Sequence, residues 1–259
     1  MVSSDDVERA GKRNYSTALI WGAWIVVGLI AIALILPAIP QERGGGPRSY
    51  LKNDLKQMGI AIHNYHDTDQ SLPVSTRSSE GAAMHGWQTS ILPFVEQFEL
   101  YESIDLSQPW DSPVNRQAFQ TVVPGYLRRR GDHNLPRKTV FQDVDPDTGY
   151  ALTNFSANKN VIDFAPAMTF LQITDGLSNT LLMGEIRDNS PPWGQPGNGR
   201  DLTLGINKSP QGFGGYRNDG ASFMLADGAV RFLGEKIDLK LLEALATPAG
   251  GETLSGEEF

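Results

Sequence analysis

The sequence predicts an α+β fold, in which an amphipathic helix packs on a mostly antiparallel β-sheet, preceded by one N-terminal transmembrane helix. Three observations support this prediction. Residues 18–39 carry no charge, residues 51–123 are dominated by helical periodicity, and short apolar segments bounded by Asp, Asn and Gly follow from residue 151 onward. A helical section followed by strands favours an α+β domain over alternating βαβ units.

The apolar segment ALIWGAWIVVGLIAIALILPAI, residues 18–39, has 22 uncharged residues. A helix of that length reaches about 33 Å, enough to cross the hydrocarbon core of a bilayer. The alternative is a secretory signal peptide, but that has a shorter apolar core, and the 17-residue leader contains Asp5, Asp6 and Glu8. Trp21 and Trp24 suit a membrane interface. We therefore expect a retained single-pass anchor.

Helix-breaking Gly and Pro residues, together with apolar periodicity, predict the boundaries of the other segments. We expect an N-terminal tail at 1–17, the span at 18–39, a Gly/Pro hinge at 40–50, a folded domain at 51–247 and a C-terminal tail at 248–259. Apolar residues at spacings of four and three predict the first helix of the domain: Leu51, Leu55, Met58, Ile62 and Tyr65. Further helices are predicted at 91–104, 110–123 and 239–247, and strands at 151–158, 168–174 and 179–186.

The stretch ASFMLADGAVRFL, residues 221–233, predicts a β-hairpin closed by a two-residue type I′ turn at Asp227 and Gly228. That turn would pair Leu225 with Val230 and Phe223 with Phe232, and would place these four side chains on one face. Because no nearby carboxylate or histidine accompanies Asp227, we interpret it as a turn residue. Asp175 and Gly176, in ITDGLSNT, are interpreted in the same way.

Composition excludes several classes of function. The 259 residues include no cysteine and carry a net charge of −8. Disulfides and thiolate zinc sites are therefore excluded, and the acidic balance argues against nucleic acid as a partner. The basic cluster at 127–138 lacks interleaved aromatic residues, and we expect it to be a solvated loop.

Two patterns resemble half of a metal site. His63 and His66 lie three apart on one helix face, but only His85 and His133 remain to join them, so surface or capping roles are expected. Asp143, Asp145 and Asp147 alternate as in a calcium loop, although Asn154 stands where the bidentate Glu belongs. A solvated turn is the expectation there, with a weak calcium site as the alternative.

Phosphate-loop, dinucleotide, metalloprotease and nucleophile-elbow motifs are absent from the sequence. We therefore expect no catalytic activity and no cofactor. Glu185 and Asp175 are a distant hydrolase alternative, because an acid–base pair needs opposed positions that sequence does not reveal. Tryptophans at 87, 110 and 193 suit either core packing or sugar stacking, and Trp193, in the loop at 191–202, is the candidate ligand contact.

Five ordered strings resemble one bacterial family: LKNDLKQMGIAIHNYHDT, GWQTSILPFVEQFELYESIDLSQPWDSPVNR, ITDGLSNTLLMGE, FMLADGAVRFL and ALATPAGGE. Together they resemble the pilin-like family known as domain of unknown function 1559, over roughly residues 30–255. The resemblance implies a type IV pilin or pseudopilin-like body on a membrane helix, with the N-terminus cytoplasmic and the C-terminal domain exported. It assigns no biochemical activity.

The chain departs from the family pattern in four places. KRNYS follows Gly11 where a prepilin cleavage site is expected, and glycines at 44–46 with Pro47 interrupt the pilin helix. Leu51 and the arginines at 128–130 stand where many relatives carry cysteines. Arg217 stands ten residues before Asp227, where the family has a histidine, and it is a second candidate ligand contact.

The leading hypothesis is a membrane-anchored, pilin- or pseudopilin-like envelope protein that acts as a structural or accessory subunit without catalysis. Its partners would be the membrane, through the N-terminal helix, and an envelope protein or further copies of itself. The alternative is an envelope-displayed module that binds a polysaccharide or peptide.

Overall fold

The computed structural model describes residues 21, 24, 47–128, 142–164, 166–216 and 219–252. The chain forms two compact units, Met1–Gly45 and Gly46–Phe259. Only Trp21 and Trp24 are described in the first unit, and both are helical and largely exposed. The rest of the predicted span at 18–39 lies outside the described residues. Within the described part, no helix has the length and apolarity needed to cross a bilayer.

The second unit begins with helix α1, Pro47–Asp69. The predicted apolar stripe is confirmed: Leu51, Leu55, Met58 and Ile62 are all buried, and Tyr65 is half-buried. Helix α1 begins inside the predicted hinge, because a proline is tolerated in the first turn of a helix. It ends where Gln70 adopts a left-handed conformation with φ of 56°.

The helical section after α1 is more broken than the periodicity predicted. It contains three short helices, α2 at Trp87–Ser90, α3 at Phe98–Glu102 and α4 at Arg116–Phe119, with 3-10 turns at Leu92–Val95 and Pro124–Tyr126. The continuous helix predicted at 91–104 is wrong, because Glu96 takes a φ of 61° between the 3-10 turn and α3. The one predicted at 110–123 is also wrong. There the buried Asn115 side chain donates to three loop carbonyls, of Asp105, Gln108 and Pro109.

Four antiparallel strands form one sheet in the order β1-β2-β3-β4: Phe155–Ala157, Leu181–Glu185, Gly220–Leu225 and Val230–Gly234. Three further 3-10 turns lie at Phe170–Gln172, Leu177–Asn179 and Leu202–Leu204. The strand predicted at 168–174 is wrong, because Thr169 and Gln172 form a capping box around the first of these turns. Helix α5, Leu239–Ala246, follows β4, and Asp238 caps it.

The hairpin of β3 and β4 is confirmed, but its predicted register is wrong by one residue. Met224 pairs with Val230 and Phe223 with Arg231. The loop has three residues rather than two, with Gly228 at φ 82° in the left-handed position of a type I turn with a bulge. Contacts outside the hairpin set the length of this loop. The Ala226 N–H donates to the Thr180 carbonyl at 2.9 Å, and the Asp227 N–H donates to the Leu177 carbonyl at 3.1 Å.

The sheet is covered on both faces. Met224 and Ala226 belong to the larger core, which α1 and the helical section complete. Phe223 and Leu225 point to the other core, which includes Leu242 and Leu245 of α5. The corrected register explains this division, because Leu225 and Val230 belong to opposite faces of the hairpin.

Candidate functional site

A pocket of about 460 Å³ with a mixed polar and apolar lining lies between the loop at 76–85, α2, α3 and the segment at 106–107. Its volume is in the range of small-molecule sites, roughly 300–1,000 Å³. Ten residues line it: Thr76, Arg77, Ser78, Met84, His85, Thr89, Ser90, Tyr101, Leu106 and Ser107. We call it the His85 pocket.

A small hairpin holds His85 in place. The Thr76 N–H donates to the His85 carbonyl at 2.8 Å, and the Met84 N–H donates to the Thr76 carbonyl at 2.9 Å. The His85 N–H in turn donates to Thr76 Oγ1 at 3.1 Å. Gly81, with φ of 85°, allows the reversal between the two arms. The backbone beside the imidazole is therefore fixed by bonds within ten residues of sequence.

Gly86 positions α2, and with it Thr89. Its N–H donates to the Gly194 carbonyl at 2.8 Å, which ties the start of α2 to the loop at 191–197. A Cβ at this position would lie 2.6 Å from the Gln195 carbonyl oxygen, which is rigid backbone. Only glycine permits so close an approach without moving one of the two segments.

His85 and Thr89 are buried without hydrogen-bond partners. They are 4% and 1% exposed, and neither the two imidazole nitrogens nor Thr89 Oγ1 has a partner among the described residues. An unsatisfied buried donor or acceptor costs about 1–3 kcal/mol. Such groups at the wall of a pocket suit a ligand that would supply the missing bonds.

The electrostatics keep His85 neutral. Burial lowers its pKa, because desolvation disfavours the imidazolium form. The carbonyls of Gln108 and Leu106 and the carboxylate of Asp105 act in the opposite direction, but more weakly. Both carbonyls are therefore close enough to act on the pKa of the ring, although neither ring nitrogen makes a hydrogen bond within the described part of the chain. A neutral imidazole offers one donor and one acceptor to the pocket.

Arg77 is the lining residue that carries a formal positive charge, but its guanidinium group already contacts other groups of the protein. Its guanidinium carbon lies 3.7 Å from the centre of the Phe164 ring, and its Nη1 donates to the Gly81 carbonyl at 3.0 Å. The side chain is also exposed, so water screens its charge.

A buried ion pair lies elsewhere, at the end of β2. Arg128 Nη1 is 2.9 Å from Glu185 Oε2, and the two side chains are 6% and 5% exposed. The Ser222 N–H donates to Glu185 Oε1 at 2.7 Å. Burial raises the pKa of Glu185 to about 7, although Arg128 opposes the shift. The prediction that the basic cluster is wholly solvated is therefore wrong at Arg128; residues 129–138 lie outside the described part.

Residues 51–203, more than half of the chain, match the family described as Protein of unknown function (DUF1559). The chain belongs to this family. No curated protein and no solved structure matches it. The match includes every residue of the His85 pocket and ends before β3. The family is described as one of unknown function, so the match assigns no activity to this member.

The two Asp-Gly turns of this DUF1559 protein meet. Asp227 Oδ1 accepts from the Ala229 N–H at 2.8 Å, and the Asp227 N–H bonds to the 3-10 turn that follows Gly176. The Asp175 carboxylate accepts from the N–H groups of Gly250 and Gly251 at 2.6 and 2.9 Å. It thus fastens the start of the segment predicted as a C-terminal tail.

Trp193 does not lie where a ligand could reach it. It is 0% exposed, packs 4.5 Å from the Phe119 ring and donates from Nε1 to the Thr121 carbonyl at 3.1 Å. Of the two roles that the sequence left open for Trp193, core packing is the one observed, because a large aromatic side chain buries more apolar area in the core than at the surface. Trp87 is equally buried, Trp110 is half-buried, and Arg217 lies outside the described residues.

The two metal-like patterns form packing and turn contacts. His63 and His66 each lie 4.5 Å from the Phe170 ring, one stacked and the other tilted. Asp145 Oδ1 accepts from the N–H groups of Asp147 and Thr148, which lowers its pKa. Across the described ranges, no three His, Asp or Glu side chains converge as metal ligands.

Little in the sequence indicates the His85 pocket. The sequence offered His85 only as a possible third ligand for a metal site at His63 and His66. Neither Arg77 nor Thr89 belongs to a spacing pattern. The pocket residues come from separate short elements, so only folding shows that they share a cavity.

Proposed function

We propose that this DUF1559 protein is a membrane-anchored, non-enzymatic envelope protein that binds a small polar ligand in the His85 pocket. The observation that carries the proposal is that two residues of the pocket lining, His85 and Thr89, have buried polar side-chain atoms without a hydrogen-bond partner among the described residues. Most buried polar groups in folded proteins have a hydrogen-bond partner, and a ligand in the pocket is the partner that we propose for these two residues.

The anchor and the location rest on the sequence. Residues 18–39 are long and apolar enough for a single span, and the family resemblance favours a cytoplasmic N-terminus with an exported C-terminal domain. The pocket would then face the envelope. The absence of catalysis is supported by how two carboxylates are used: Glu185 pairs with Arg128, and Asp175 binds the backbone at 250–251.

A pilin- or pseudopilin-like structural or accessory subunit is the second candidate. It is favoured by the 23-residue α1, whose apolar stripe lies against the antiparallel sheet, and by the predicted apolar helix that precedes it in sequence. The two candidates are compatible, since a subunit displayed on an envelope could also bind a ligand. For the polysaccharide or peptide alternative, we assign the binding site to the His85 pocket rather than to Trp193, because Trp193 is fully buried.

Native mass spectrometry tests the binding function even while the ligand is unidentified. The full chain would be produced in a bacterial host and purified in a polyoxyethylene detergent, which has no sugar headgroup. We expect a retained small-molecule adduct on the wild type that is lost in Thr89→Val. The matched control is Thr121→Val, which removes an exposed hydroxyl outside the pocket. Adducts of equal abundance in all three proteins, or none in any, would refute the function.

A further inference from the structure

The walls of the His85 pocket are rich in hydroxyl groups. Of its ten described lining residues, six carry a hydroxyl and none carries a carboxylate: Thr76, Ser78, Thr89, Ser90, Tyr101 and Ser107. A hydroxyl both donates and accepts, so this lining is complementary to a ligand whose own groups do the same.

Several of these groups retain bonding capacity. Thr89 Oγ1 and both nitrogens of His85 have no partner among the described residues. Thr76 Oγ1 and Ser78 Oγ accept from the N–H groups of His85 and Ala82, which leaves their own hydroxyl protons available to donate. These two hydroxyls can therefore act as donors in the lining that also contains His85.

The charge in and around the pocket disfavours a charged ligand. The imidazole stays neutral because it is buried. The Arg77 guanidinium is exposed and already engaged by the Phe164 ring and the Gly81 carbonyl. An anion would also approach Asp105, whose carboxylate is close enough to influence the pKa of His85. A cation would find no carboxylate among the lining residues, and the nearby Asp105 Oδ1 already accepts from the N–H and the hydroxyl of Ser107.

Apolar surface completes the lining. Met84 and Leu106 border the same cavity, together with the ring of Tyr101. Small-molecule sites commonly combine apolar walls with a few placed polar groups, and aromatic rings pack against the C–H faces of sugar rings.

We propose that the His85 pocket binds an uncharged, polyhydroxylated molecule of about the size of one or two sugar rings. This inference rests on the proposed binding function and specifies its ligand class. Thr89 and His85 exchange hydrogen bonds with ring hydroxyls, and Tyr101, Met84 and Leu106 contact the carbon face. Neutrality of the ligand is required because the pocket offers no uncommitted charge to replace the lost hydration.

Matched sugar pairs test the ligand class. Methyl β-D-glucoside and N-acetylglucosamine are the neutral probes, and methyl β-D-glucuronide and glucosamine are their anionic and cationic counterparts. Binding to the full chain in polyoxyethylene micelles is measured by saturation-transfer NMR and by the ring-nitrogen shifts of His85. We expect at least one neutral probe to bind about tenfold or more tightly than its charged counterpart. Thr89→Val should lose about tenfold in affinity and Thr121→Val none.

The outcomes separate the two proposals. If charged probes bind as well as neutral ones or better, or if no probe binds while the native adduct is present, the ligand class is wrong and the binding function stands. If no probe binds and no native adduct exists, both are wrong. Binding that moves no His85 signal and survives Thr89→Val places the sugar elsewhere and overturns the inference.

Discussion

Above pH 7, where Glu185 is ionised in the wild type, replacing Arg128 by Met should destabilise the fold strongly, because it leaves the Glu185 carboxyl buried without its partner. The two charges are 2.9 Å apart, and both side chains are almost fully buried. Removing one member of such a pair costs about 3–5 kcal/mol. For a folded unit of this size, that loss lowers the unfolding midpoint by roughly 10–15 °C.

The assay is thermal and urea unfolding of the full chain in micelles, followed by near-UV circular dichroism. Arg116→Met, at an exposed arginine, is the matched control and should change the free energy of unfolding by less than about 0.5 kcal/mol. Adding Glu185→Gln to Arg128→Met should recover most of the loss. A Gln oxygen still accepts from the Ser222 N–H, while the unpaired charge is gone.

The deficit of Arg128→Met should also depend on pH. Arg128 lowers the pKa of Glu185, so without it the carboxyl stays protonated to higher pH. At low pH the carboxyl is neutral in both proteins and little is lost, and the deficit grows as pH rises. A loss below about 1 kcal/mol in the alkaline part of the pH series, or a double variant less stable there than Arg128→Met, would refute the reasoning.

Three further predictions concern the fold and the site. In the wild type the folded pKa of Glu185 is about 7, above its ordinary 4.5, so the folded state binds the extra proton. The free energy of unfolding should therefore fall by about 3 kcal/mol between pH 4.5 and pH 7. Urea unfolding at a series of pH values measures this fall, and Glu185→Gln should remove it. Gly86→Ala should lower the free energy of unfolding by about 1–3 kcal/mol and weaken retention of the adduct, because the new Cβ meets rigid backbone. Gly125→Ala is the control, because its Cβ meets open space, and the same unfolding assay should show almost no change. Trp193→Phe should lower the free energy of unfolding by about 1–3 kcal/mol, because it loses the hydrogen bond to the Thr121 carbonyl and some core volume. The adduct seen by native mass spectrometry should remain. Loss of the adduct from a folded variant would show that Trp193 belongs to the binding site.

The parts of the fold that sequence predicted correctly are those that depend on local periodicity. The stripe from Leu51 to Ile62 recurs at helical spacing and is buried as expected. The strand at Leu181–Glu185 and the helix at Leu239–Ala246 are bounded by turn and capping residues that sequence displays. Asp-Gly at 227–228 likewise marks the hairpin.

Sequence failed where distant contacts override local preference. The hairpin register depends on hydrogen bonds from the loop to Leu177 and Thr180, which no two-residue turn rule contains. Arg128 lies in a basic run that suggested a solvated loop, but its partner Glu185 is 57 positions away. The His85 pocket was missed for the same reason, because its residues lie on separate short elements.

The free energy of unfolding of Thr89→Val, compared with the ligand-free wild type, tests most directly whether this hydroxyl is held for a ligand rather than for the fold. A hydroxyl that is buried without a partner costs stability, so a valine of the same shape should raise the free energy by about 1 kcal/mol and the midpoint by about 2–4 °C. Thr153→Val is the contrast, because that hydroxyl accepts from Gln88 and donates to the Tyr126 carbonyl, and its loss should destabilise. A fall of about 1 kcal/mol or more in Thr89→Val, matching the loss in Thr153→Val, would mean that Thr89 serves the fold and would contradict the account.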